Sequence, residues 1–279
     1  MSTNIYKNPE AYSKNNSLQY HFAMDVISHS KIGKDVRILD LGCGDGAVTL
    51  RLAEIADEGC VIGADVSREM IEFANDRYQN RKNLRFIQMD SSDNVFVRQF
   101  DIVMSFNSLH WVKDQERVLR GIANSVVENG EVILLLSHKK SRYHHALDIV
   151  CAKDKWKNYF KDYTNPRSFF ELKEYEALLK KAGLNILSLM EREMIHKFDS
   201  TEKLQAFLES SMANIKQIPQ DKKAEFLDDF CKEFFDLLKD QTLTSIEVGF
   251  WCLEVRACKL SQENVLSTGV SKSMLFSRL

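Results

Sequence analysis

The sequence predicts an α/β fold: a seven-stranded, mostly parallel sheet whose last strand runs antiparallel, with helices on its faces and a helical cap. Three observations carry this expectation. Short β-branched runs alternate with amphipathic patterns from residue 36 to residue 138, a glycine cluster follows the first run, and two long strand-like stretches come late in the chain. Alternation at this spacing calls for right-handed crossovers between parallel strands.

The elements follow in order. Residues 36–41 (VRILDL) read as a buried strand ending at glycines. Residues 47–56 place Val48, Leu52 and Ile55 on one helix face. A second strand, 60–66, contains Asp65, and Ser67 is placed to cap a helix over 68–78. Residues 84–89 and 100–106 are the third and fourth strands. A helix over 115–127 carries Val118, Ile122 and Val126 at four-residue steps; Asn129-Gly130 should end it before a fifth strand at 131–136. A helix over 170–182 stops at Gly183. Residues 184–198 and 245–259 are expected to pair as an antiparallel ribbon at the sheet edge.

The 279 residues exceed the prior of about 150 per domain. We expect one domain over residues 1–260, with an N-terminal helix near 15–30, cap segments at 139–169 and 200–240, and a disordered tail at 261–279. Thirty-eight Lys and Arg face forty Asp and Glu, a net charge of -2, which argues against nucleic acid as a partner. No stretch reaches the roughly 18 apolar residues of a membrane helix, and the first twenty residues lack the apolar core of a secretory signal. Six scattered cysteines form no C-x-x-C pair, so no metal site is expected and a cytoplasmic location is.

The strongest local signal is ILDLGCGDG at 38–46. Glycines between a first strand and first helix let a ligand approach the backbone, in the crevice beyond the carboxyl ends of the strands. Asp65, twenty-one residues after Gly44, is placed to bind two ribose hydroxyls. Gly42-x-Gly44-x-x-Ala47 also satisfies the dinucleotide spacing. Charge separates the two cofactors. A pyrophosphate wants bare N–H groups, whereas this loop carries Asp40 and Asp45 and neither Lys nor Arg. S-adenosylmethionine, with an ammonium, a sulfonium and no phosphate, suits such a loop better. Asp40 supplies the negative field, and Gly42 and Gly44 contact the methionine end.

These residues resemble motif I of the class I S-adenosylmethionine-dependent methyltransferases, whose fold is Rossmann-like. The likeness runs from about residue 12 to about residue 258. It implies that Asp65 is the ribose acid and that Asp90, in QMDS, takes the adenine amino group. It also implies Val66, Ser91 and Ser105 beside the cofactor. FDIVMSFNSLHWVKD and FFELKEYEALLKKAGLNIL match later segments of the family. Leu109-His110-Trp111 and the stretch YSKNNSLQ at 12–19 are similar to juvenile hormone acid methyltransferases, and less closely to trans-aconitate and malonyl-carrier-protein methyltransferases. All three methylate a carboxylate. That resemblance implies that Gln19 and Trp111 line a shared cofactor and substrate cavity.

A carboxylic acid, with a pKa of about 4, arrives ionised and needs no general base; a phenol or ammonium would need one. No acid–base pair stands out, and His110 reads as structural before it reads as a base. Trp111 suits either core or site. The segment 138–167 is rich in Lys and Arg and follows the fifth strand. Most of it reads as a solvated face, with Arg142 the first candidate to clamp a substrate acid. Phe226, Phe230, Phe234 and Leu238 form the packing side of a helix, with an apolar substrate pocket beneath it as a further expectation. The expected activity is O-methylation of a small carboxylic acid. N-, phenol-O- or C-methylation, a non-catalytic methyltransferase-like subunit and an NAD-dependent oxidoreductase stay open, as does the oligomeric state.

Overall fold

The computed structural model describes residues 8–238 and 246–261. Seven strands form one sheet in the order β3-β2-β1-β4-β5-β7-β6. They are β1 (Arg37–Leu41), β2 (Cys60–Asp65), β3 (Leu84–Gln88), β4 (Phe100–Phe106), β5 (Val126–Ser137), β6 (Asn185–Phe198) and β7 (Ile246–Cys258). β1 to β5 pair in parallel, and β7 lies antiparallel between β5 and β6. The long late ribbon is therefore inserted into the sheet through its second strand.

Period-two alternation decides which side chains meet. Leu39 and Leu41 turn to one face with Leu134, Leu136 and Val255, where α5 (Gln115–Ser125) and α7 (Leu172–Lys181) cover them. Val118, Leu119 and Ile122 of α5 are fully buried there, each burial stabilising by about 1.5–3 kcal/mol. Ile38, Ile133 and Leu135 turn to the other face, under α2 (Ser17–Ser28), α3 (Ala47–Ile55) and α4 (Arg68–Tyr78). The same core continues into α6 (Arg142–Ala152), α8 (Thr201–Ser211) and α9 (Lys223–Asp236), the cap.

Three expectations need correcting, while the helix expected near 15–30 is present as α2 and is preceded by a further helix, α1 (Pro9–Asn15). Pro9 opens α1, and the Asn8 side chain accepts the Ala11 N–H at 3.0 Å. The helix expected to reach residue 127 ends at Ser125, because Val126 is extended, fully buried and paired with Phe100. Asn129 (φ 61°) and Gly130 sit inside β5 next to a register shift, so the dipeptide makes an irregularity within a strand rather than the turn before it.

The third correction concerns α9. Phe226, Phe230 and Phe234 are fully buried. They pack against Trp156 (centroids 5.2 Å from Phe226) and Tyr143 (5.6 Å from Phe230) and line neither of the two cavities described below. The expected tail lies outside the described residues from residue 262 onward.

Candidate active site

Parallel register brings the motif residues to one rim. β1 ends at Leu41, Asp65 pairs with Gln88 across β2 and β3, and β4 ends at Phe106. The glycine loop, Asp65-Val66, Asp90-Ser91 and Asn107 therefore leave the sheet side by side. Gly42 (φ 74°) could carry no side chain, since a Cβ would lie 1.8 Å from Ser108 Oγ. Gly44 (φ 54°) lies beneath the Tyr12 ring of α1, which a Cβ would meet at 3.4 Å.

Local backbone holds the acids of this rim. Asp65 Oδ2 accepts the Gly44 N–H at 3.0 Å and Oδ1 the Ser67 N–H at 2.9 Å. An ionised carboxylate has about four acceptor sites, so two donors leave capacity for ribose hydroxyls. Burial raises the Asp65 pKa. Asp40, 2% exposed, accepts the Thr49 hydroxyl at 2.7 Å, and burial pushes its pKa to about 7. Asp45 is buried too, raised for the same reason, and accepts Asn16 Nδ2 at 2.8 Å. Asp90 accepts the N–H and hydroxyl of Ser92, capping a short turn that buries Ser91. The Val66 carbonyl accepts from Gln88. Ser105 is spent inside the sheet: its hydroxyl donates to the Leu41 carbonyl at 2.7 Å.

Tyr12, Asn16 and Gln19 close a pocket over Asp40, Gly42 and Asp45. Gln19 Oε1 is buried there with no hydrogen-bond partner among the described residues. An unpaired acceptor, two buried acids and the absence of any lining cation suit a cationic methionine end rather than a phosphate.

Gln19 also lines a second, partly open cavity. It is lined by Asn107, His110 and Trp111 after β4, by Ser137 at the end of β5, and by Tyr143 and Arg167. Phe22, Phe207, Phe250 and Trp251 form apolar walls. Arg167 is 9% exposed, with its guanidinium carbon 4.3 Å from the Trp111 ring centroid and 5.5 Å from that of Tyr143. Its Nη2 donates to the Ser211 carbonyl at 2.8 Å. Arg167 Nε, Tyr143 OH and Asn107 Nδ2 are buried without partners among the described residues. Burial and the Arg167 charge hold His110 and His144 well below the ordinary histidine range.

The cation in this cavity is Arg167, not Arg142. Arg142 opens α6 with an exposed side chain, whereas Tyr143 and His144, the next residues round the helix, are buried and line the cavity. Neighbouring cations pair with acids nearer the surface: Lys153 with Glu233, Lys155 with Asp229, Lys157 with Asp154. Tyr143 carries no sequence signal of its own, and Tyr12, Asn16 and Asn107 lie inside the matched stretches YSKNNSLQ and FDIVMSFNSLHWVKD without being singled out. Arg167 is the last cation of the basic segment 138–167, in which Arg142 stands as the first candidate.

One set of three potential metal ligands occurs among the described residues: His138, Glu171 and Glu191. The Lys140 N–H donates to His138 Nδ1 at 3.3 Å, which leaves the ring proton on Nε2, 3.6 Å from Glu191 Oε1. Lys140 Nζ pairs with Glu191 as well. His138 Nε2 is buried without a hydrogen-bond partner among the described residues, and Lys140 already neutralises Glu191.

A glycine-floored, acid-walled rim on a seven-stranded α/β sheet is the arrangement of the class I S-adenosylmethionine-dependent methyltransferases, whose fold this chain has and whose methyl-transfer activity its relatives indicate. Residues 38–130 match the family described as a methyltransferase domain. The chain is 29% identical over 262 residues to the juvenile hormone acid O-methyltransferase of Bombyx mori, covering 85% of this chain and 87% of that one. It is 31% identical over 124 residues to a malonyl-[acyl-carrier protein] O-methyltransferase of Acetivibrio thermocellus, covering 44% and 41%. In fold it is similar to phosphoethanolamine N-methyltransferase 2 of Haemonchus contortus in complex with S-adenosylmethionine. There the TM-score is 0.57 at 17% identity, covering 91% of this chain and 57% of that one. Among the described residues no helix is long and apolar enough to cross a membrane.

Proposed function

We propose that the protein O-methylates a small carboxylic acid. The observation that carries this reading is Arg167: a buried guanidinium whose Nε–H has no partner, beside an unpaired Tyr143 hydroxyl and an unpaired Asn107 amide. A buried donor left unsatisfied costs about 1–3 kcal/mol, more when charged. A carboxylate would accept from all three, and the ion pair would be shielded from water by Phe22, Phe207 and Phe250. The methylated acids in the names of the Bombyx mori and Acetivibrio thermocellus relatives support the same reading.

Bound S-adenosylmethionine supplies an electrophilic methyl group. The chain's part is orientation. Asp65 would hold the ribose and Asp90 the adenine, while Asp40, Asp45 and Gln19 face the cationic methionine end. Trp111 stacks on Arg167 and fixes the plane in which an acid docks. No proton has to move, because the acceptor is ionised at neutral pH. The single domain proposed over residues 1–260 includes the cap, since Tyr143 and His144 of α6 and Phe207 and Ser211 of α8 line the acid cavity. Six free cysteines favour a reducing compartment, the cytoplasm.

The test is turnover of labelled cofactor against a panel of acids, phenols and amines, with the product treated with mild base. Label that the base releases as methanol supports the carboxylate reading. Base-stable product from phenols or amines alone overturns it.

A further inference from the structure

We infer that His110 is a hydrogen-bond donor to the acceptor carboxylate and that the site holds no general base, so it selects substrates that arrive as anions. This rests on the carboxylate reading and deepens it. The argument begins at Ser137, the last residue of β5. Its backbone N–H donates to His110 Nδ1 at 3.2 Å. A backbone N–H can only donate, so Nδ1 must present its lone pair, and the neutral ring carries its proton on Nε2. His110 lines the acid cavity. With Nδ1 engaged, Nε2–H is the group the ring can offer a ligand.

The surroundings hold the ring in that state. His110 is 4% exposed. Its own carbonyl accepts the Ser168 N–H at 2.7 Å, tying it to the strap that carries Arg167. The charged and titratable groups facing it are Arg167 and His144. His144 Nε2 lies 3.1 Å from Ser137 Oγ, so one serine touches both imidazoles. A ring that took a proton from a substrate would become a cation beside the Arg167 guanidinium, which opposes the role of base.

The cavity is thus dominated by donors: Arg167 Nε–H, His110 Nε2–H, Asn107 Nδ2–H and the Tyr143 hydroxyl. An acid meets them with both oxygens. One carboxylate oxygen forms the new bond to the methyl carbon as the carbon–sulfur bond breaks. That bond's electron pair goes to sulfur, and no proton is transferred. A phenol or ammonium would first have to lose a proton that these donors cannot accept. His110 is on this account a specificity residue.

The experiment compares wild type, His110→Gln and His110→Phe at saturating cofactor from pH 6 to 9. Calorimetric binding of S-adenosylhomocysteine serves as the folding control. Gln keeps an N–H donor but cannot act as a base, whereas Phe removes the donor. The expected result is a kcat that stays level with pH in wild type and His110→Gln. KM for the acid should rise several-fold in His110→Gln and about tenfold or more in His110→Phe, the loss of one hydrogen bond to a charged group. Suppose wild type makes esters, yet its rate climbs on a limb in the histidine range that His110→Gln abolishes together with turnover. His110 is then a base and this inference fails alone. If wild type instead methylates only phenols or amines, the carboxylate reading fails and takes this inference with it.

Discussion

The two cavities that share Gln19 are built on opposite plans. On the cofactor side, the acids are engaged before any ligand arrives: Asp65 by two amides, Asp40 by Thr49, Asp45 by Asn16. On the acid side, Arg167, Tyr143 and Asn107 each keep a buried donor unpaired. The first plan fixes geometry with hydrogen bonds already made to the acids, two from backbone amides and two from side chains, and reads a ligand through charge. The second holds polar groups in an apolar shell, where a partner is worth more than it would be in water.

The largest effect that separates the two plans should come from Arg167→Met. Removing one member of a buried charge pair costs about 2–5 kcal/mol, so KM for the acid should rise roughly thirtyfold or more. S-adenosylhomocysteine affinity by calorimetry should stay close to wild type. Equal losses on both sides would merge the cavities into one binding unit.

Asp65→Ala inverts that pattern. One or two charge-assisted hydrogen bonds of about 1.5–3 kcal/mol each disappear, weakening cofactor binding at least about tenfold with little change in KM for the acid. Unchanged calorimetric affinity would remove Asp65 from the site.

The smallest effect is a pH dependence. Free Asp40 titrates at about 7, and a bound cation favours its ionised form, so its pKa falls in the complex. Cofactor affinity should be level above pH 7 and decline below it, approaching about tenfold per unit. Asp40→Asn should flatten the profile. An affinity that improves on acidification would reverse the sign and exclude Asp40 from facing the cation.

The same contrast explains what could be read in the sequence. The cofactor rim depends on neighbours close in the chain. Gly42, Gly44 and Asp65 fall within twenty-four residues, at a spacing that strand length and one crossover helix dictate. Period-two and four-residue patterns likewise mark strands and helices wherever one face is buried. The acid cavity depends on tertiary placement. Arg167 sits between Pro166 and Ser168 in a segment with neither period, and its pairing with Ser211 and Trp111 spans more than forty residues in each direction. Arg142 misled because one residue of helix phase separates solvent from cavity, and no local signal sets that phase. At Asn129-Gly130 a turn signature was overridden by pairing between Val126 and Phe100.

β7 occupies the slot between β5 and β6, and its residues 250–252 face the acid cavity. During synthesis β6 emerges earlier, yet it reaches β5 only through a strand that has not been made. The ribosome therefore delivers the glycine rim some two hundred residues before the wall that finishes the second chamber. A nascent chain halted in between would own the glycine rim, Asp65 and Asp90 and still lack the last wall of the second chamber.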